Sequence, residues 1–193
     1  MKSFIVFRDT ITYVLRDFWL QHGDRRVTQS YWLASNGLMH TFGILAVYLA
    51  MVTLIGPRLM RRREAMQLKA AMLVYNTCMT VVNIYCFIRS IQLMRFGLEL
   101  FNFDRPDPTD VSAATLEIIA FGHFYLCTKF FDLLDTFFFV LRKKWSHLSF
   151  LHLYHHSVVP ALGIVSFILY PTAKPVGLFV MVNSLVHSVM YVF

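Results

Sequence analysis

Five long apolar runs, separated by short loops that hold much of the charge, take up nearly the whole of this 193-residue chain. Between Tyr31 and Ile55 there is no Asp, Glu, Lys or Arg. A helix needs about 20 apolar residues to cross the roughly 30 Å hydrocarbon core of a bilayer. A backbone immersed there must satisfy its own hydrogen bonds, which a helix does and an open strand does not. The chain therefore reads as an all-α, polytopic helical membrane protein. Composition agrees, since 57% of residues are apolar, 15% are charged and the mean hydropathy is +0.55, outside the usual range of a soluble domain. The runs leave no room for a separate soluble module, so residues 1–193 are expected to form a single helical membrane domain.

The spans are expected at about 31–55, closed by Gly56–Pro57, and at about 70–94, 112–141, 147–170 and 175–193. Residues 1–30 read as an interfacial amphipathic segment, because Phe4, Val6, Phe7, Ile11, Val14, Leu15, Phe18 and Trp19 roughly follow helical spacing. The N-terminus shows no compact signal peptide, which leaves the first span as the insertion signal. Arg58, Arg61, Arg62, Arg63 and Lys69 follow that span, whereas the loop from Phe96 to Asp110 carries Glu99, Asp104, Asp107 and Asp110 against Arg105. The contrast places the arginine-rich loop, and with it Arg142, Lys143 and Lys144, on the cytosolic side. Arg89 lies close enough to the end of its span to snorkel. The last run reaches Phe193 without a polar tail, and the chain reads as truncated at its C-terminal end.

A formal charge of +7 and a pI near 9.5 could indicate a nucleic-acid partner. The basic residues instead cluster in short loops between apolar runs, which fits topology signals and anionic head groups. Cys78, Cys86 and Cys127 lie in apolar runs with no CxxC spacing and read as small packing residues.

Three polar constellations interrupt the apolar runs. His152, His155 and His156 stand at i, i+3 and i+4, so on a helix they share a face. Three imidazoles in a bilayer helix must look into the bundle or a cavity. Lys129, Asp132 and Thr136 share a second face with Asp135 adjoining. Burying these charges unpaired is prohibitive, so Lys129 is expected to pair with Asp132, and a carboxylate to accept a proton from an imidazole on the next helix. Asn183, His187 and Tyr191 fall at i, i+4 and i+8 and make a third polar face. His40, His123 and His147 read as ordinary packing histidines. Imidazole suits either metal ligation or nucleophilic and base chemistry. A di-iron membrane desaturase or hydroxylase would use several histidine boxes, while this chain has eight histidines in all and one box. That argues against metal, and no metal site is expected.

These motifs resemble the ELO family of very-long-chain fatty acid elongases. The family pattern Lys-x-x-Glu-x-x-Asp-Thr with its basic end is similar to KFFDLLDTFFFVLRKK from Lys129 to Lys144, and the family histidine box to LSFLHLYHH from Leu148 to His156. Asn183, His187, Met190 and Tyr191 fit the next motif, and GPRLMRRREAMQLKAAMLVYN from Gly56 to Asn76 resembles the first cytosolic loop and second helix. Asp132 stands where the family usually has glutamate, keeping the charge on a shorter side chain.

The resemblance implies condensation of a long-chain acyl-CoA with malonyl-CoA to 3-oxoacyl-CoA, CO2 and CoA, with no metal or redox cofactor. It makes His155 the nucleophile that forms an acyl-imidazole, with His187 orienting substrate or moving protons. His152, His156, Asp132 and Asp135 complete the expected catalytic set. Lys129, Thr136, Asn183 and Tyr191 are expected to contact substrate, and Arg142, Lys143 and Lys144, with Arg61 to Arg63, to meet the CoA phosphates. The resemblance further implies seven spans in all, residence in the endoplasmic reticulum membrane, other enzymes of the elongation cycle as partners and a possible homo-oligomer. A degenerate, non-enzymatic relative is the remaining alternative, with Asp132 and the chain's ending as its hints.

Overall fold

The computed structural model describes residues 8–101 and 107–192, and these contain helices and turns with no strand. The expectations placed on Phe4, Val6, Phe7, Asp104, Arg105 and Phe193 lie outside the described residues. A helical run over 8–22 (α1) and the short Arg25–Thr28 (α2) precede Met39–Met60 (α3) and Lys69–Leu93 (α4). Ala113–Phe131 (α5) and Leu133–Leu141 (α6) follow, then Phe150–Leu169 (α7) and Lys174–Met190 (α8). The chain is a polytopic helical membrane protein: α3, α4 and α7 are each long and apolar enough to span a bilayer.

The boundaries differ from the sequence reading in three informative places. Residues 31–38 form turns rather than the first part of a span, because Ser35–Asn36–Gly37 closes a turn in which Gly37 has φ +59°. Helix α3 then runs through Gly56–Pro57 to Met60. Residues Ala50–Ile55 adopt π-helical register, and the Gly56 N–H bonds to the Met51 carbonyl five residues back. That shift absorbs the donor that Pro57 lacks, so the proline does not end the helix. The third expected span is divided at Asp132, where α5 stops and α6 begins. The last helix, α8, has 17 residues, or about 25 Å at 1.5 Å per residue.

The chain divides into two compact units, Met1–Glu64 with Gly122–Pro171 and Ala65–Phe121 with Thr172–Phe193. In the first unit, Leu45, Tyr48, Val52 and Met60 of α3 pack against Leu133 and Val140 of α6. Apolar contact with lipid is as favourable as with protein in a bilayer, so close fit rather than burial from water holds such a pair. Gly56 supplies that fit: a Cβ there would sit 2.7 Å from both the Met51 carbonyl oxygen and Val140 Cγ1. Tyr48 meets Thr136 and Gly56 meets Val140, so α3 and α6 run parallel. Their basic ends, Arg61 to Arg63 and Arg142 to Lys144, therefore lie at the same end of this unit.

The N-terminal helices are tied into the first unit by directed bonds. The Asp24 N–H donates to the Ile168 carbonyl at 2.7 Å. The Asp24 side chain caps α2 at the Arg26 N–H and holds the Arg26 guanidinium, with both side chains nearly buried. The Leu38 N–H donates to the Leu15 carbonyl at 2.7 Å, which brings Gly37 against the backbone of α1. A Cβ at Gly37 would lie 2.6 Å from the Leu15 oxygen in a left-handed conformation. Gly37→Ala is expected to cost more than about 2 kcal/mol, read as a lower melting temperature in detergent. An unchanged melting temperature would show that this docking is not needed.

In the second unit, α8 lies antiparallel along α4. Gly177 sits against Met94 at one end, and the Tyr75 and Tyr191 hydroxyls are 3.3 Å apart at the other. Arg89 of α4 pairs with Glu117 of α5 instead of standing alone at its helix end, and Lys174 donates to Glu99 at 2.7 Å.

Candidate active site

Helix α7 begins where Ser149 caps it, its hydroxyl accepting the His152 N–H at 3.1 Å. The three box histidines therefore occupy the first two turns of a spanning helix, next to the basic end of α6. His156 is buried, and His152 and His155 are half-buried. The His152 and His156 rings are tilted against each other at 4.2 Å, and His155 meets His156 edge-on at 5.7 Å.

His155 and His156 line a void of about 10 Å³ with Lys129, Asp132, Val159 and Pro160. That is room for about one water molecule. Pro160 lies inside α7, and a proline at this position removes the backbone bond that residue 160 would give to the carbonyl of His156. The backbone is thus loosened beside the void.

Lys129 and Asp132 form the opposite wall. Lys129 Nζ is 2.8 Å from Asp132 Oδ2, both side chains are 3% exposed, and the ammonium sits 4.8 Å from the centre of the Tyr125 ring. The expected pair is present. Asp132 occupies the turn between α5 and α6, where its N–H still bonds to Thr128 while its carbonyl accepts the Asp135 N–H at 3.3 Å. This i to i+3 bond tightens the chain and sends Thr136 toward a different neighbour from Lys129.

That neighbour is His152. Thr136 Oγ1 lies 2.9 Å from His152 Nε2 and 2.7 Å from the Tyr48 hydroxyl. The hydroxyl of Thr136 thus touches the His152 imidazole, and Asp135 is half-buried one position away. Tyr48 and Pro160 were missed. A proline four residues after His156 was a readable signal, whereas Tyr48 stands in an uncharged apolar run with nothing to distinguish it.

Arg142 ends α6 and Lys143 follows with φ +55°. The Lys143 N–H bonds to Val140 and the Lys144 N–H to Phe139, a helix stop in which lysine fills the left-handed position usually given to glycine. Arg142 and Lys143 are half-buried and Lys144 is exposed. The second unit holds Asn183, His187 and Tyr191. His187 and Tyr191 are buried, with rings 5.9 Å apart, and Asn183 is half-buried on α8. The histidines read as packing residues have ordinary surroundings. His40 bonds to the Trp32 carbonyl, His123 lies between Tyr31 and Phe167, and His147 stacks on Phe139. Among the described residues, no three His, Cys, Asp or Glu side chains converge in a way that could hold a metal ion.

The fold and site define a multi-pass membrane protein in which imidazoles in the first turns of a spanning helix are set against a buried ammonium–carboxylate pair. Residues 32–193 match the model of the ELO: GNS1/SUR4 family, and the chain belongs to that family. It is 35% identical over 177 residues to "Very long chain fatty acid elongase 1" of Homo sapiens, covering 90% of this chain and 61% of that protein. It is 34% identical over 195 residues to "Very long chain fatty acid elongase 7" of Rattus norvegicus, covering 97% and 66%. "Fatty acid elongase 5" of Leishmania major is 35% identical over 147 residues, covering 75% and 54%. The chain thus spans about three fifths of the length of the human relative.

Proposed function

We propose that this protein is a fatty acid elongase that condenses a long-chain acyl-CoA with malonyl-CoA in the endoplasmic reticulum membrane. The observation that carries the reading is the meeting of His155 and His156 with the buried Lys129–Asp132 pair on one void. The family relatives named as elongases support it.

In this reading an imidazole nitrogen of His155 attacks the thioester carbonyl of the acyl-CoA. The carbon–sulfur bond breaks, and the CoA thiolate leaves and takes up one proton. Malonyl-CoA then loses CO2, and its enolate carbon attacks the acyl-imidazole, forming the new carbon–carbon bond and freeing the histidine. The sum is 3-oxoacyl-CoA, CO2 and CoA, with one proton consumed. The void admits about one water, so the reacting carbonyl takes that water's place and the acyl chain occupies space that opens on binding. Arg142, Lys143 and Lys144 lie at the same end of the unit as Arg61 to Arg63 and are assigned to the CoA phosphates. His187, Asn183 and Tyr191 are assigned to substrate handling from the family motif. No metal or redox cofactor enters this scheme, and the enzymes that process 3-oxoacyl-CoA are its proposed partners.

The test is turnover by the purified full-length protein in the presence of a chelator. Acyl-CoA and malonyl-CoA should give 3-oxoacyl-CoA two carbons longer, with CO2 and CoA released in equal amounts. Chelator-sensitive oxidation of the acyl chain would replace this reading with a histidine-ligated oxidoreductase. Absence of either reaction would favour a non-enzymatic relative.

A further inference from the structure

The described reaction leaves one buried polar chain unexplained. Tyr48 is 2% exposed and Thr136 is fully buried, yet their hydroxyls are 2.7 Å apart and Thr136 is 2.9 Å from His152 Nε2. Tyr48 and Thr136 lie on different helices and His152 on a third, so one continuous line of polar atoms crosses the core of the first unit. Buried polar groups are expensive unless bonded, and such a chain rigidifies what it joins when every member is satisfied.

Either hydroxyl can donate or accept across these contacts; the polarity assigned here has the phenol donating to Thr136 Oγ1 and the threonine hydroxyl donating to His152 Nε2. An imidazole that accepts at Nε2 carries its proton on Nδ1. In that polarity its accepting lone pair is occupied, which leaves His152 poorly placed to attack a thioester. It is well placed to be a fixed wall. Its ring lies 4.2 Å from His156 and edge-on to Phe139 at 5.4 Å, while the void is lined by His155 and His156 and not by His152.

We propose that Tyr48, acting through Thr136, is a positioning residue that locks the orientation and tautomer of His152 and thereby the adjoining His156 beside the nucleophile. The three histidines then divide their work: His152 anchors, and His155 and His156 face substrate. This rests on the acyl-transfer reading of the box. The Tyr48 ring also packs edge-on to Phe137 at 6.0 Å, and the test must separate that packing from the hydroxyl.

Tyr48→Phe in the full-length protein keeps the ring and removes the hydroxyl. Its kcat should fall about tenfold, the scale of one lost orienting hydrogen bond, with KM for acyl-CoA and the melting temperature nearly unchanged. Thr136→Val should match it, the double variant should be no slower than either single one, and Thr136→Ser, which retains the hydroxyl, should recover most of the turnover that Thr136→Val loses. Nitrogen chemical shifts of labelled His152 supply a readout independent of activity. The wild type should show the Nδ1–H tautomer, and Tyr48→Phe a mixture. Wild-type kcat in Tyr48→Phe, or additive losses in the double variant, would overturn the positioning role while leaving the elongase reading intact. A wild type that makes no 3-oxoacyl-CoA would defeat the elongase reading, and the chemical shifts alone would then decide whether the lock exists.

Discussion

His155→Ala in the full-length protein is expected to lower condensation at least about a thousandfold, because loss of an attacking group removes the covalent route and leaves only substrate positioning. The variant should still fold. His155 is half-buried in the first two turns of α7, and alanine is a good helix former. Product formation and melting temperature are measured for His155→Ala and, as a control, for His22→Ala. His22 stacks on Phe18 in α1 and should be kinetically silent. Near-normal turnover in His155→Ala would move the nucleophile elsewhere, with His156, the other histidine of the void, next to be replaced.

The second large effect is on stability. Lys129→Ala should destabilise the protein by about 3–5 kcal/mol, since Asp132, 3% exposed on its side chain, would keep a buried charge without its cation. Asp132→Ala should cost a similar amount by removing the carboxylate that pairs with the buried Lys129 ammonium. Replacing both together, Lys129→Met with Asp132→Leu, should recover most of the loss, because an apolar pair of similar volume carries no desolvation penalty. Unfolding of the single and double variants in mild detergent gives the coupling energy. Additive losses would show that Lys129 and Asp132 act on different partners. Activity should be lost even where stability is regained, which separates the pair's place at the void from its structural contribution.

What could be read in the sequence follows from how local each signal is. The spans were legible because bilayer thickness imposes a length on every apolar run, and α4 and α7 lie within a few residues of their expected bounds. The Lys129–Asp132 pair was legible because no buried charge on one helix face tolerates solitude. The break at Asp132 was not, since a tightened turn retains helical spacing well enough to hide in the pattern. Gly56–Pro57 was read as a stop because proline lacks a donor, and the π-helical register of Ala50–Ile55 that carries α3 past it depends on packing against α6. Ser35–Asn36–Gly37 was overlooked within an uncharged run, although its turn chemistry was present. In the site, the shared face of the histidines was a matter of spacing alone. Its supports were not, because Tyr48 and Thr136 stand 88 positions apart in the chain and meet only once α3 and α6 are aligned.

Whether a helix-embedded imidazole carries the acyl group is tested by mass spectrometry of the full-length protein quenched after exposure to a long-chain acyl-CoA in the absence of malonyl-CoA. The expected result is one acyl group on the peptide containing His155, released CoA in equal amount, and disappearance of the adduct as 3-oxoacyl-CoA forms on adding malonyl-CoA. An acyl group found on a cysteine or on another histidine, or turnover with no adduct at any time point, would contradict it.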